Sequence, residues 1–152
     1  MDSSIDELVI DAGLVDEIVR HCAAGLPNEG CGLLSGRREG GSLAAARFYP
    51  GTNRLASPSR FAMDPAEVMA ALTAIERACA GVGVSLAAIV HSHPATEAVP
   101  SRTDLREAFY PEALLLIVSF AGIAPELRAW RVAAAAGGSA AEEVTIRGTG
   151  RR

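Results

Sequence analysis

Residues 86–104 read Leu-Ala-Ala-Ile-Val-His-Ser-His-Pro-Ala-Thr-Glu-Ala-Val-Pro-Ser-Arg-Thr-Asp, an apolar run that ends in two histidines and a polar loop. The segment Leu86–His91 predicts a buried strand. Side chains alternate between the two faces of a strand, so His91 and His93 point to the same side. Two imidazoles on one face at the end of a strand can share a single metal ion.

Asp104 supplies a carboxylate after a further ten residues of loop and turn. Two neutral imidazoles and one carboxylate suit Zn²⁺ and leave a fourth position for water, as in catalytic zinc sites. Two other interpretations are open. His91 and His93 could be hydrogen-bonded side chains at a strand edge, and Ser101-Arg-Thr-Asp104 also matches a capping box at a helix start. A helix start is a rigid place to hold a ligand, so capping and metal binding are compatible.

The residues present exclude other metal sites that are built on a His-x-His pair. A binuclear metallo-β-lactamase needs His-x-His-x-Asp-His, but the chain has Ala95 and Thr96 at the last two positions. Multinuclear phosphoesterases need several more histidines. Besides His91 and His93, this sequence has only His21. Nucleobase deaminases need His-x-Glu and a later Pro-Cys-x-x-Cys, and neither is present. A mononuclear site with two histidines remains.

A hydrolytic zinc site also needs a base that takes a proton from water. No glutamate lies between the two histidines, so the candidates are Glu29, Glu97 and Asp64. Glu29 precedes the stretch Gly30–Gly36, which predicts a buried strand, and a strand holds a neighbouring carboxylate rigidly. The alternative for Glu29 is a solvated loop carboxylate, and Glu97 could equally be solvated in the loop between the ligands.

The hydrophobic pattern predicts two substantial helices among about seven strands, without strict βαβ alternation. One helix starts at Asp11 and runs to about Ala24, and another starts at Asp64-Pro65 and runs to about Ala80. A short helix is expected over Ser101–Ala108. The predicted strands are Leu8–Ile10, Gly30–Gly36, Ser42–Tyr49, Leu86–His91, Leu114–Phe120, Leu127–Ala133 and Glu143–Ile146, with turns at Arg37–Gly41 and Ala133–Ala141. This order indicates an α/β or α+β fold, a mixed sheet with helices on both faces.

Composition narrows the class of function. The 152 residues carry a net charge of −4 at a pI of about 5.4, and neither a basic stripe for nucleic acid nor an apolar run of transmembrane length is present. The three cysteines, Cys22, Cys31 and Cys79, are widely spaced and form no CxxC, which indicates reduced thiols in a cytoplasmic protein. No repeat or linker divides the chain, so we expect one domain over residues 1–152. A homodimer is left open.

The spacing of these residues resembles the JAMM (MPN+) metalloprotease motif. Glu29 is followed by His91-x-His93, then seven residues, Ser101, two residues and Asp104, with no motif position substituted. The stretches Pro27–Gly36, Asn53 and Ser57–Pro65 are similar to bacterial members of that family, and the likeness covers nearly the whole chain. It implies that His91, His93 and Asp104 bind one zinc ion. It further implies that Glu29 is the general base and that Ser101 stabilises the oxyanion. The implied fold is similar to cytidine deaminases.

The resemblance also implies a class of substrate. Residues 95–104 are similar to bacterial enzymes that release cysteine from the Gly-Gly end of small ubiquitin-like sulfur carriers. The chain is short for the inserted segments with which eukaryotic relatives grip ubiquitin chains. We therefore expect a zinc peptidase that cuts after the diglycine of a sulfur-carrier protein, with no nucleic-acid or membrane partner. The alternatives are a bacterial deconjugase that removes a ubiquitin-like modifier from lysine side chains, and a non-catalytic MPN scaffold.

Overall fold

The computed structural model describes residues 4–78, 83–135 and 138–149. These residues form seven strands and three helices in mixed order. The elements are β1 (Glu7–Ile10), α1 (Ala12–Ala24), β2 (Cys31–Glu39), β3 (Ser42–Gly51), α2 (Pro65–Ala78), β4 (Val84–His93), α3 (Arg102–Arg106), β5 (Leu114–Ser119), β6 (Glu126–Ala135) and β7 (Gly138–Gly148). Within the described part of the chain, no helix is both long and apolar enough to cross a membrane.

All seven strands belong to one mixed sheet in the order β1-β3-β2-β4-β5-β6-β7. The pair β4–β5 is parallel, whereas β2 pairs with β3 and β4 in antiparallel fashion. The short strand β1 runs parallel to both β3 and β7, so the two ends of the strand order meet on β1. The predicted fold class, a mixed sheet with interspersed helices, is confirmed.

Helix α1 packs on one face of the sheet. Asp11 caps it, because its Oδ1 accepts a hydrogen bond of 2.9 Å from the backbone N–H of Leu14. Leu14, Ile18 and Cys22 are spaced at about one turn and are all buried. They join a large apolar cluster that also contains Ala88 and Val90 of β4. The apolar face of α1 therefore covers this side of β4.

Helix α2 packs on the opposite face. It contacts β4 and β2, and Val68 lines the same cavity as Ile89 and His91. Because side chains alternate along a strand, Ile89 and His91 face away from the side that carries Val90. The two histidines of β4 therefore lie on the α2 side of the sheet, as the predicted arrangement of helices on both faces requires.

Strand β2 depends on glycine at one position. A Cβ atom on Gly32 would lie 2.5 Å from the ring of Phe48 and 2.7 Å from the carbonyl oxygen of Tyr49. Only glycine lets β3 approach this closely. This packing keeps β2 in place beside β4, which carries the histidines.

Several helices and strands begin or end at residues other than those predicted from the sequence. Strand β2 continues through Arg37–Glu39, for which the sequence predicts a turn, because these residues pair with β3 and Arg37 also pairs with β4. Strands β6 and β7 extend into the alanine-rich segment, because backbone pairing does not depend on side-chain polarity. Helix α3 is shorter than expected and ends at Arg106. Helix α2 ends at Ala78 among the described residues, and the prediction for 79–80 and for Cys79 lies outside them.

Candidate metal centre

Three candidate ligands converge where β4 ends and α3 begins. His91 and His93 lie at the end of β4 and are buried, with 1% and 5% of their surfaces exposed. Asp104 lies in the first turn of α3, which Ser101 caps. The Ser101 hydroxyl oxygen accepts from the backbone N–H of Asp104 at 3.0 Å, and Oδ2 of Asp104 accepts from the Ser101 N–H at 2.9 Å. The predicted capping box is present, and it aims the carboxylate at the histidines.

The three side chains point their ligand atoms at one place. Oδ2 of Asp104 lies 3.2 Å from Nε2 of His91 and 3.1 Å from Nε2 of His93. The two Nε2 atoms are 3.3 Å apart. These atoms form a group that could hold a metal ion.

The tautomer of His93 indicates whether its Nε2 and the Asp104 carboxylate can hold a cation between them. Its Nδ1 lies 2.7 Å from the backbone oxygen of Glu97. A carbonyl oxygen only accepts, so Nδ1 carries a proton and donates it. In neutral His93, Nε2 is then a bare lone pair that faces the carboxylate of Asp104. Two acceptors facing each other need a proton or a metal ion between them, so this donor set fits a metal ion.

The pKa shifts of His93 and Asp104 also indicate that the site favours a cation. Burial lowers the pKa of His93, but hydrogen bonds to Asp104 and to the Glu97 carbonyl outweigh burial, so the pKa lies above its usual value. Burial would raise the pKa of Asp104, but hydrogen bonds from His91 and His93 hold it well below its usual range. Positive charge between these groups is therefore favourable. Two imidazole nitrogens and one carboxylate oxygen suit Zn²⁺ with a fourth position left open.

His91 is oriented by stacking. Its ring lies parallel to that of Phe61, with centroids 4.7 Å apart and an interplanar angle of 18°. Its Nδ1 is buried and has no hydrogen-bond partner among the described residues. Phe61 lies in the stretch Ser57–Pro65, and its contact with His91 could not be predicted from the sequence.

Glu29 lies beside this group. Cys31 pairs with His91 across β2 and β4, and the backbone N–H of Ser92 donates to the Gly30 oxygen at 3.0 Å. Continuing this antiparallel register by two residues sets Glu29 opposite His93 and on the same face of the sheet.

The carboxyl group of Glu29 is buried, with 5% of the residue exposed, and its Oε1 has no hydrogen-bond partner among the described residues. Burial raises its pKa to about 7, with His93 lowering and Asp104 raising it. A buried carboxyl with a free oxygen and a pKa near neutrality can exchange protons.

The other two candidate bases are placed differently. The side chain of Glu97 is exposed, and the contact of this residue with the site is made by its backbone oxygen. Asp64 forms an ion pair with Arg54 at 3.4 Å, and its Oδ1 accepts from the backbone N–H of Ala66 at the start of α2. Glu29 alone of these three candidates is a buried carboxyl facing the histidines.

An apolar cavity of about 430 Å³ opens beside the ligands. Both His91 and Asp104 line it, together with apolar side chains such as Leu33. Arg60 and Glu107 also line it and form an ion pair of 3.1 Å. The cavity therefore borders two of the three candidate ligands.

Comparisons with known proteins identify the family of this chain. Residues 11–133 match the family described as prokaryotic homologs of the JAB domain. The chain belongs to this family. The resemblance that the motif indicated is therefore confirmed.

This JAB-domain protein is similar to characterised relatives. It is 41% identical to the CysO-cysteine peptidase of Mycobacterium tuberculosis over 112 residues, which cover 74% of this chain and 73% of the relative. It is 36% identical to a desampylase of Haloferax volcanii over 124 residues, 78% of this chain and 84% of that one. The solution structure of a protein from Desulfitobacterium hafniense matches with a TM-score of 0.76 at 34% identity, over 93% of this chain and 94% of that chain.

Proposed function

We propose that this JAB-domain protein is a zinc-dependent peptidase that hydrolyses the bond after the C-terminal Gly-Gly of a small ubiquitin-like sulfur-carrier protein and releases cysteine. The observation that carries the proposal is the convergence of His91, His93 and Asp104 beside the buried carboxyl of Glu29, whose Oε1 has no hydrogen-bond partner among the described residues. Such an arrangement suits hydrolysis by water, because it combines a metal site with an adjacent base. We also propose that residues 1–152 act as one domain.

The three ligands would hold the ion through Nε2 of each histidine and Oδ2 of Asp104. When bound, zinc supplies Lewis-acid polarisation of water and of the scissile carbonyl. The Glu97 carbonyl keeps the His93 proton on Nδ1, which leaves Nε2 free for the ion.

Glu29 would transfer the proton of the attacking water to the leaving group. Its carboxylate takes a proton from the attacking water and then gives it to the nitrogen of the leaving group. Burial supports this role, because the raised pKa lets the same group both accept and return a proton near neutral pH.

Ser101 would stabilise the negative oxygen that develops on the carbonyl. Its hydroxyl oxygen already accepts a hydrogen bond from Asp104 N–H, so its own proton remains to be donated. A hydroxyl at a helix start is well fixed, and a fixed donor stabilises developing charge without reorganisation.

The cavity supports the choice of a diglycine tail. Its wall is largely apolar around His91 and Asp104, and glycine residues let an extended chain approach closely. The relative named CysO-cysteine peptidase supports cysteine as the leaving group, and hence a place in cysteine biosynthesis.

A deconjugase is the second candidate, because another relative is a desampylase. The chemistry would be the same, and a lysine side chain rather than cysteine would leave. The same candidate ligands and base would serve with either amine as the leaving group.

The test is a direct competition between two substrates. Zinc-loaded protein is incubated with a carrier that ends in Gly-Gly-Cys and with the same carrier joined through Gly-Gly to a lysine side chain. Mass spectrometry should find the first trimmed to Gly-Gly at a much higher rate. Ready cleavage of the lysine conjugate with the cysteine adduct intact would favour the deconjugase. No cleavage of either, with zinc bound, would contradict both.

A further inference from the structure

Three successive backbone oxygens in the loop between the ligands each accept a hydrogen bond from a different side chain. The Ser119 hydroxyl donates to the oxygen of Thr96 at 2.6 Å. Nδ1 of His93 donates to the oxygen of Glu97 at 2.7 Å. The indole Nε1 of Trp130 donates to the oxygen of Ala98 at 2.8 Å. The hydrogen bond that orients His93 is thus flanked on both sides by others.

The two flanking donors come from the sheet, not from the loop. Ser119 is the last residue of β5 and Trp130 lies in β6, and the two strands are paired. Both residues are buried, with 3% and 9% of their surfaces exposed. Ala98 is fully buried in an apolar cluster with Ile117 and Trp130. The loop is therefore attached to the sheet by both polar and apolar contacts.

These contacts bear on the orientation of the His93 ring. The ring of His93 keeps its orientation only while the Glu97 oxygen stays within reach of Nδ1. The Ala98 carbonyl and the Val99 N–H belong to one rigid peptide plane, so the bond from Trp130 to the Ala98 oxygen also orients the Val99 N–H. That N–H donates to the Glu97 oxygen at 2.8 Å and so holds this oxygen in place.

We propose that Ser119 and Trp130 are positioning residues for His93, acting through the carbonyl group of Glu97. They hold the imidazole in the tautomer and orientation that present Nε2 to a metal ion. This inference rests on the proposed function, in which His93 is a zinc ligand. Removing a group that supports a metal ligand in this way typically weakens metal affinity about 10–100-fold.

The experiment measures zinc affinity by competition with a chelator in Ser119→Ala and Trp130→Phe. Trp130→Phe removes the N–H but keeps an aromatic ring in the cluster. Ser35→Ala is the matched control, because Ser35 is also a buried serine whose hydroxyl donates to a backbone oxygen, that of Arg47, and it takes no part in this loop. We expect each loop variant to bind zinc about 10–100-fold more weakly and the control to bind normally.

A second measurement separates positioning from general damage. Nitrogen-15 NMR of the His93 ring should report mixed tautomers in the metal-free loop variants and a proton held on Nδ1 in the wild type and in Ser35→Ala. The double variant should lose less affinity than the two single losses combined, since both act on one ring. Wild-type affinity and a wild-type tautomer in both loop variants would overturn the inference. If His93→Ala itself retained full affinity, the proposed site would fail instead.

Discussion

The side-chain amide of Asn53 donates a hydrogen bond of 3.0 Å to the backbone oxygen of Glu29. The same nitrogen donates to the Arg60 oxygen at 3.0 Å, and Oδ1 accepts from the backbone N–H of Ala62. Asn53 therefore ties the candidate base to the segment that carries Phe61, and Phe61 stacks on His91. One amide group links the candidate base to a candidate ligand through the loop between them.

Asn53→Asp tests this link. The carboxylate keeps an acceptor oxygen for the Ala62 N–H but cannot donate to the oxygens of Glu29 and Arg60. We expect a loss of about 1–3 kcal/mol in the free energy of unfolding, because carbonyl groups lose their donors. Turnover should fall more than zinc content, since Asn53 bonds the Glu29 backbone directly and reaches His91 only through Phe61. Urea unfolding, kinetics and elemental analysis measure the stability, the turnover and the zinc content. Unchanged stability and turnover would show that the link is not needed.

Removing a ligand should remove the metal without removing the fold. His91→Ala, His93→Ala and Asp104→Asn should each lose most of the roughly one zinc per chain that a three-ligand site would bind. The sheet and its apolar core should persist, because a chain of this size buries enough surface without a metal. Elemental analysis and circular dichroism measure the two effects. Asp64→Asn, another aspartate at a helix start, is the control and should keep its zinc.

Glu29→Gln should separate the base from the ligands. The amide keeps the shape of the side chain and removes its basicity, so turnover should fall roughly a hundredfold or more while zinc remains bound. Glu97→Gln should cost much less, because its side chain is exposed and the contact with His93 uses the backbone. Kinetics and zinc content on both variants decide the assignment. Near-normal turnover in Glu29→Gln, with a collapse in Glu97→Gln, would place the base in the loop.

The two described thiols should make stability depend on pH. Burial raises the pKa of Cys22 to about 11, with a partly opposing hydrogen bond to Ser92, and raises the pKa of Cys31 to about 12. A thiol of the unfolded chain ionises near its ordinary value, so the unfolded state loses its protons first as pH rises. The contribution of the two thiols to stability should therefore be constant below that value and should fall between about pH 9 and 11.

Urea unfolding at several pH values measures this decline. Each thiol contributes a slope of up to about 1.4 kcal/mol per pH unit in that window. The variant Cys22→Ala/Cys31→Ala should have a flatter profile than the wild type, whatever its absolute stability. Identical slopes for the two proteins above pH 9 would contradict the assignment of the effect to these thiols.

Much of the site could be predicted from the sequence because its geometry is local. The two-residue period of a strand puts His91 and His93 on one face, and the capping box of Ser101 and Asp104 fixes the carboxylate within three residues. Both features depend on neighbours along the chain, and both are present in the structure.

The supporting residues could not be predicted because their contacts are distant in sequence. Trp130 donates to a residue 32 positions away and Ser119 to one 23 positions away. Nothing about an isolated tryptophan in an apolar strand signals that its N–H meets a particular carbonyl. The burial of Glu29 is likewise a product of the packing of β2 against β4, so the residues alone left three candidates for the base.

The contacts of Asp104 Oδ2 connect the candidate metal site to helix α3. The same oxygen that faces both histidines also accepts the N–H of Ser101 and so holds the first turn of α3. A carboxylate oxygen has two lone pairs, and an ion bound there would draw electron density from the bond that holds the turn. Occupancy of the site and fraying of this five-residue helix are therefore thermodynamically linked. The amide of Ser101 becomes a built-in reporter, whose rate of deuterium exchange should change when the ion arrives, before any substrate is added.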